Sequence, residues 1–116
     1  MSPYESDGTW NGLLYSRRKL VARAVLHPDA RKPGSELWLD SIKTFLGYRR
    51  QGYGKILLQS AVDMFHDSYT AINLVIKPFG ESPPELSALT QFYEKMGFSK
   101  TPDNYLDGRP IWRRDI

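Results

Sequence analysis

Residues 19–27, KLVARAVLH, alternate with a period of two. Leu20, Ala22, Ala24 and Leu26 fall on one face and Val21, Arg23 and Val25 on the other, which predicts a β-strand. WNGLLY at 10–15 predicts a strand before it, with Arg17 and Arg18 in the turn of a hairpin. DARKPGS at 29–35 has Pro-Gly turn chemistry, so ELWLDSIKTF at 36–45 reads as a third strand. From Gly54 to about His66 the spacing becomes three and four, and Leu57, Leu58, Ala61 and Phe65 share one helical face. AINLVIK at 71–77 is apolar on both faces, as a central strand is. A second helix is predicted next, with Ser82 as its cap, Pro83 in its first turn and Glu85 closing an S-x-x-E capping box. Leu86, Leu89, Tyr93 and Met96 form its buried stripe, and Gly97 its C-terminal stop. Residues from about 98 to 102 and from 109 to 115 supply short closing strands.

The order β-β-β-α-β-α-β-β predicts a mixed α/β fold. The third strand, first helix and fourth strand form a crossover unit, so this central strand pair is expected to be parallel and right-handed. The rest of the sheet is expected to be antiparallel, with helices on its faces. The 116 residues fit one domain, residues 1–116, with a loose tail at 1–8. There is no cysteine, so disulfides, thiolate metal sites and cysteine nucleophiles are excluded, and no metal ligands are assigned. No apolar run reaches membrane-span length, and MSPYESDGTW is too polar for a signal peptide. The expectation is a soluble, cytoplasmic protein. The formal charge of +3 favours anionic ligands, but nothing orders the aromatics for nucleic acid. The pairs Arg17–Arg18 and Arg113–Arg114 read as solvated surface.

YRRQGYGKILL at 48–58 puts two glycines where a helix begins. The first amides of a helix have no intrahelical acceptor, and glycine lets an anion approach them. A Walker A loop is excluded, because Tyr53 and Gly54 stand where its lysine and hydroxyl belong. A dinucleotide fingerprint is excluded too: Leu57 replaces its third glycine, and the next strand ends in Lys77 rather than an acid. The pattern R/Q-x-x-G-x-G/A fits Arg49-Arg50-Gln51-Gly52-Tyr53-Gly54. This stretch resembles the coenzyme A loop of the GCN5-related N-acetyltransferases, the GNAT superfamily. FYEKMGF at 92–98 resembles that family's second signature, one strand and one helix downstream. The resemblance runs from about Glu36 to Phe98.

The resemblance implies that the amides of Arg50, Gln51, Gly52, Tyr53, Gly54 and Lys55 hold the coenzyme A pyrophosphate. It implies that Ile42, Lys43 and Thr44 pair through their backbone with pantetheine, and that Arg49 and Arg50 reach the phosphates. Tyr93 matches the family's general acid, and Glu36 or Asp40 is expected as the base. By period two, both acids lie on the face of Ile42 and Thr44. His27 and His66 read as structural or surface residues. The implied activity is transfer of an acetyl group from acetyl-CoA to an amine by direct attack in a ternary complex. The acceptor is an amine-bearing small molecule or protein. A non-catalytic module of the same fold is the alternative reading. The family's usual strand and two helices on the acceptor side have no counterpart before Trp10, so an open acceptor site and a homodimer are expected. Leu86 and Ser87 stand where many members carry an asparagine that contacts the cofactor.

Overall fold

The computed structural model describes residues 8–45, 47–49, 51–78 and 84–116. The chain forms β1 (Trp10–Ser16), β2 (Lys19–Pro28), β3 (Glu36–Thr44), α1 (Tyr53–Phe65), β4 (Ala71–Val75), α2 (Leu86–Lys95), β5 (Ser99–Asn104) and β6 (Pro110–Asp115). The six strands make one sheet in the order β1-β2-β3-β4-β6-β5. Among the described residues only β3 and β4 pair in parallel, joined across α1. Every other neighbouring pair is antiparallel. The element order and the mixed sheet are those the hydrophobic pattern predicts.

Both helices lie against the same sheet face. Ala22, Ala24 and Leu26 of β2 pair with Thr44, Ile42 and Leu39 of β3, and Leu37 pairs with Ile72 of β4. The apolar members of these pairs form one core with Leu57, Leu58, Ala61, Val62 and Phe65 of α1 and with Tyr93 and Met96 at the end of α2. Leu58 is fully buried and Phe65 nearly so. Each such side chain contributes about 1.5–3 kcal/mol relative to exposure. Trp10 meets Phe65 edge-on, with ring centroids 5.6 Å apart, and thereby ties β1 to α1.

Two irregularities position the site. β3 carries a bulge: Ser41 pairs with Val25 and Leu39 with Leu26, leaving Asp40 as the extra residue. The β3–β4 ladder then stops after three rungs, at Trp38 and Asn73. Beyond that point β3 keeps β2 on one side and leaves β4, which pairs onward with β6.

The start of α2 corrects the predicted capping box. The helix begins at Leu86, and Glu85 is its N-cap in extended backbone, with no side-chain cap hydrogen bond. Glu85 thus precedes the first turn rather than sitting inside it. Ser82 and Pro83 lie outside the described residues. Leu86 does not belong to the buried stripe either, since it is 55% exposed. Gly97, at φ 92, follows the helix as its stop.

Gly12 lies in β1 where a Cβ would come within 2.3 Å of the Trp10 ring. Gly12→Ala should force that ring off Phe65 and lower stability by about 1–3 kcal/mol, as overpacking does. Urea unfolding should show a lower midpoint with an unchanged slope, and an unshifted midpoint would refute the packing described.

Candidate coenzyme A cleft

The parting of β3 from β4 opens a cleft of about 620 Å³ on the helix side of the sheet. Its floor is the end of β3, with Ile42, Lys43 and Thr44. Gly52, Tyr53, Gly54 and Lys55 form one wall, and Arg49 stands beside them. Glu85, at the N-cap of α2, and Ala88, Leu89, Phe92 and Tyr93 of the helix form the other. Eight of the ten predicted cofactor-contacting residues therefore line one space. Gln51 is exposed and outside that lining, and Arg50 lies outside the described residues.

The start of α1 is open to an anion. Its N-cap, Gly52, is left-handed at φ 80, a conformation glycine adopts without the penalty of a side chain. Gly52 makes no side-chain cap hydrogen bond, and among the described residues no acidic side chain occupies the first turn. The first in-helix bond comes from the Ile56 amide to the Gly52 carbonyl, at 3.0 Å. The preceding amides and the helix dipole face the cleft as a positive end. A Cβ at Gly54 would meet Phe92 and Thr44 at an ordinary 3.5 Å, so packing within the protein does not itself require glycine there.

Tyr93 lines the cleft from within the core and is 7% exposed. Burial pushes its phenol well above the ordinary tyrosine value, so it stays protonated and can only donate. Phe92, Leu89, Ala88 and Glu85 had not been singled out in the sequence as cleft residues. Their signal was there: Glu85, Ala88 and Phe92 recur at three and four beside Leu89 of the apolar stripe of α2. Leu86, at the place of the family's asparagine, lines a different groove with Thr90, Ile76 and Trp112.

A family model described as the acetyltransferase (GNAT) family matches residues 2–98. This chain belongs to the GNAT family. Solved structures of acetyltransferases share its fold. The ribosomal-protein-S18-alanine N-acetyltransferase from Escherichia coli matches at TM-score 0.70 and 22% identity, over 97% of this chain and 72% of that one. The PaiA N-acetyltransferase from Thermoplasma acidophilum, in complex with coenzyme A, matches at 0.71 and 17%, over 93% of this chain and 61% of that one. The anti-CRISPR protein AcrVA5 matches at 0.67 and 21%, over 90% of this chain and 96% of that one. No match was found among curated protein sequences.

Within this GNAT chain the two predicted acids go to different places. The bulge at Asp40 breaks the period-two count, so Leu37 and Leu39, not Glu36, share the face of Ile42 and Thr44. Glu36 is on the opposite face, 5% exposed and away from the cleft lining. It accepts hydrogen bonds from Asn73 at 2.8 Å and Arg113 at 2.7 Å, and pairs with Lys32 at 3.2 Å. Asn73 also donates to buried Asp29 at 3.0 Å, which Arg31 holds at 2.6 Å. Asp40 is exposed and, like Glu36, is not among the residues that line the cleft; its carboxylate oxygen lies 4.0 Å from His27 Nε2. The His27 ring contacts the Pro28 carbonyl through Nδ1, at 3.0 Å.

Burial alone would raise the Glu36 and Asp29 carboxyls. The hydrogen bonds from Asn73, Lys32 and Arg113 to Glu36, and from Arg31 and Asn73 to Asp29, outweigh it and hold both below the ordinary carboxylate range. The unfolded chain then binds more protons than the folded one in acid. Stability from these groups is complete above their unfolded values of roughly 4 and is lost as pH falls through the lower folded ones. Thermal melts from pH 7 to pH 2.5 should show this acid limb (roughly the carboxylate range). Glu36→Gln should cost about 1–3 kcal/mol at neutral pH and flatten the limb. An equally steep limb in the variant would contradict the network.

Proposed function

We propose that this chain is an N-acetyltransferase that moves an acetyl group from acetyl-CoA to a primary amine of a small molecule or a protein, within a ternary complex. The observation that supports this most is the joining, in one cleft, of the β3 edge that β4 leaves after Trp38, where the Thr44 carbonyl meets Arg49 Nε at 3.5 Å, to the start of α1. A strand edge wants amide partners and a helix start wants an anion. Pantetheine is amide-like and the pyrophosphate is anionic, so the residues present fit coenzyme A. Ile42 and Thr44, whose backbone groups point away from β2, would pair with pantetheine, with Lys43 held to Arg23 of β2 between them. The amides from Arg50 to Lys55, with Gln51 among them and Arg49 beside them, would hold the pyrophosphate.

Acetyl-CoA supplies an activated acyl thioester when bound. The protein supplies placement and two proton functions. Tyr93 is the proposed donor at the sulfur. A thiol titrates near ~8.5 and an ordinary phenol near ~10, and burial raises Tyr93 further. Full proton transfer from Tyr93 to a thiolate is therefore uphill, and its role is a hydrogen bond that strengthens as charge develops on sulfur. Asp40 is the proposed acceptor for the amine's proton, directly or through water, with His27 beside it. Glu36 is already committed to Arg113, Lys32 and Asn73 and has no part in the scheme. The chain has no cysteine, so direct attack by the amine replaces an acyl-cysteine route.

Thiol release from acetyl-CoA across a panel of small amines and peptides should exceed the acceptor-free rate for at least one member. A panel with no stimulation would favour the non-catalytic reading. Gly54→Asp should fold, because its Cβ has room, yet lose at least about a hundredfold in coenzyme A affinity by placing a carboxylate at the helix start. Wild-type affinity by calorimetry would sink the phosphate assignment. Tyr93→Phe should lower turnover by about 10²-fold or more with little change in coenzyme A affinity or melting temperature. Turnover within about threefold of wild type, with chemistry limiting the rate, would remove Tyr93 from the mechanism.

A further inference from the structure

Among the described residues, the tip of the β1–β2 hairpin holds the non-glycine residues with left-handed backbone. Arg17 and Arg18 form a two-residue turn closed by the Ser16–Lys19 pair. Both arginines have positive φ, 50 and 67. Two-residue hairpin turns of this hand favour Asn-Gly, because left-handed backbone disfavours residues with a Cβ and a long side chain. Two arginines here work against local stability, and such an outlier points to a function. Both are exposed, and neither enters an ion pair among the described residues.

The tip also stands beside the cleft. The Tyr53 hydroxyl, from the first residue of α1, donates to Ser16 Oγ at 3.3 Å. The Phe45 amide, just past the end of β3, donates to the Val21 carbonyl at 2.9 Å. Ala22 and Arg23 pair with Thr44 and Lys43. Two segments therefore meet at this end, residues 8–28 and 41–62. Together they contain eight of the sixteen Lys and Arg residues and none of the thirteen Asp and Glu residues. The modest net charge conceals this separation, since the rest of the chain is acidic on balance. Glu85 on the α2 wall is the one carboxylate among the described residues that line the cleft.

We propose that Arg17 and Arg18 form a second phosphate subsite that takes the ribose 3′-phosphate of coenzyme A. This rests on the coenzyme A reading above. With the pyrophosphate on the start of α1, the phosphorylated ribose attached to it would extend out of the cleft. The Ser16–Tyr53 contact sets the turn that carries Arg17 and Arg18 beside the start of α1, and arginine is suited to phosphate by its fork of donors. The strained turn sets both arginines at the apex of the hairpin. Phosphomonoester recognition at this place gives the enzyme a preference for coenzyme A over its dephosphorylated form.

The test replaces the turn with the residues its backbone favours, in the double variant Arg17→Asn, Arg18→Gly. Calorimetry on the full chain compares coenzyme A with 3′-dephospho-coenzyme A. Wild type should bind coenzyme A about tenfold tighter or more. The variant should bind the two equally, keep its affinity for the dephosphorylated form, and melt no lower than wild type. Equal affinities in wild type would overturn the subsite and leave the coenzyme A reading intact. A preference that survives in the variant would also overturn it, passing the 3′-phosphate to Arg49 or Lys55. Binding of neither ligand by wild type would overturn the coenzyme A reading and the subsite with it.

Discussion

Strands β3 and β4 run together for three rungs and then part, and the site depends on that parting. A backbone edge inside a sheet is expensive to leave bare, because each amide and carbonyl needs a partner. β2 satisfies one side of β3 through Thr44, and the other side opens into the cleft between the two helices. The bulge at Asp40 sits just past the last β3–β4 rung, where the added twist of a bulge turns a strand away from its neighbour. The same device changes which side chains face the cleft. It sets Leu37, Leu39, Ile42 and Thr44 on the helix side, and leaves Glu36 and Trp38 on the other.

The face behind the rungs holds the strands together at the point where they are about to diverge. Asn73 on β4 bridges Glu36 on β3 and Asp29 in the turn before it. Arg113 on β6 reaches across to Glu36. Trp38 stacks on Tyr105 from the β5–β6 turn, with centroids 5.0 Å apart, and the Arg31 guanidinium lies 5.5 Å from the Trp38 ring. Buried polar groups of this kind stabilise only when all are partnered, and no buried side-chain nitrogen or oxygen among the described residues lacks a partner. The division of labour is clear: acids and their cations fasten one end of the β3–β4 seam, and the other end is rich in Lys and Arg, with Glu85 the one carboxylate among the described residues that line the cleft.

Much of this was legible in the sequence. The periodicities of KLVARAVLH and of the Leu57–Phe65 stripe are strong because one face of each element is buried against the other, and both elements formed where predicted. The paired glycines at 52 and 54 and the tyrosine in FYEKMGF marked two walls of one cleft. The bulge was not legible. Asp40 leaves no trace in the alternation around it, and a single inserted residue reverses every face assignment upstream, which is how Glu36 was misplaced beside Ile42. The capping box failed for a different reason. S-x-x-E has the right letters at 82–85, but Glu85 is extended, and the apolar positions that anchor α2 begin at Leu89 rather than Leu86. Arg17 and Arg18 were readable as a turn, while their nearness to the start of α1 depends on the Ser16–Tyr53 contact, which only the fold supplies.

The central claim is that the parted edge of β3 and the open start of α1 are two halves of one coenzyme A site. Amide chemical shifts of isotope-labelled protein, titrated with coenzyme A, test it residue by residue. The account predicts that the largest changes fall together on Ile42–Thr44 and on Gly52–Lys55, saturating with one common dissociation constant, while Glu36 and Asn73 behind the seam change little. Changes confined to α1, changes with separate affinities for the two segments, or none at millimolar coenzyme A would contradict it.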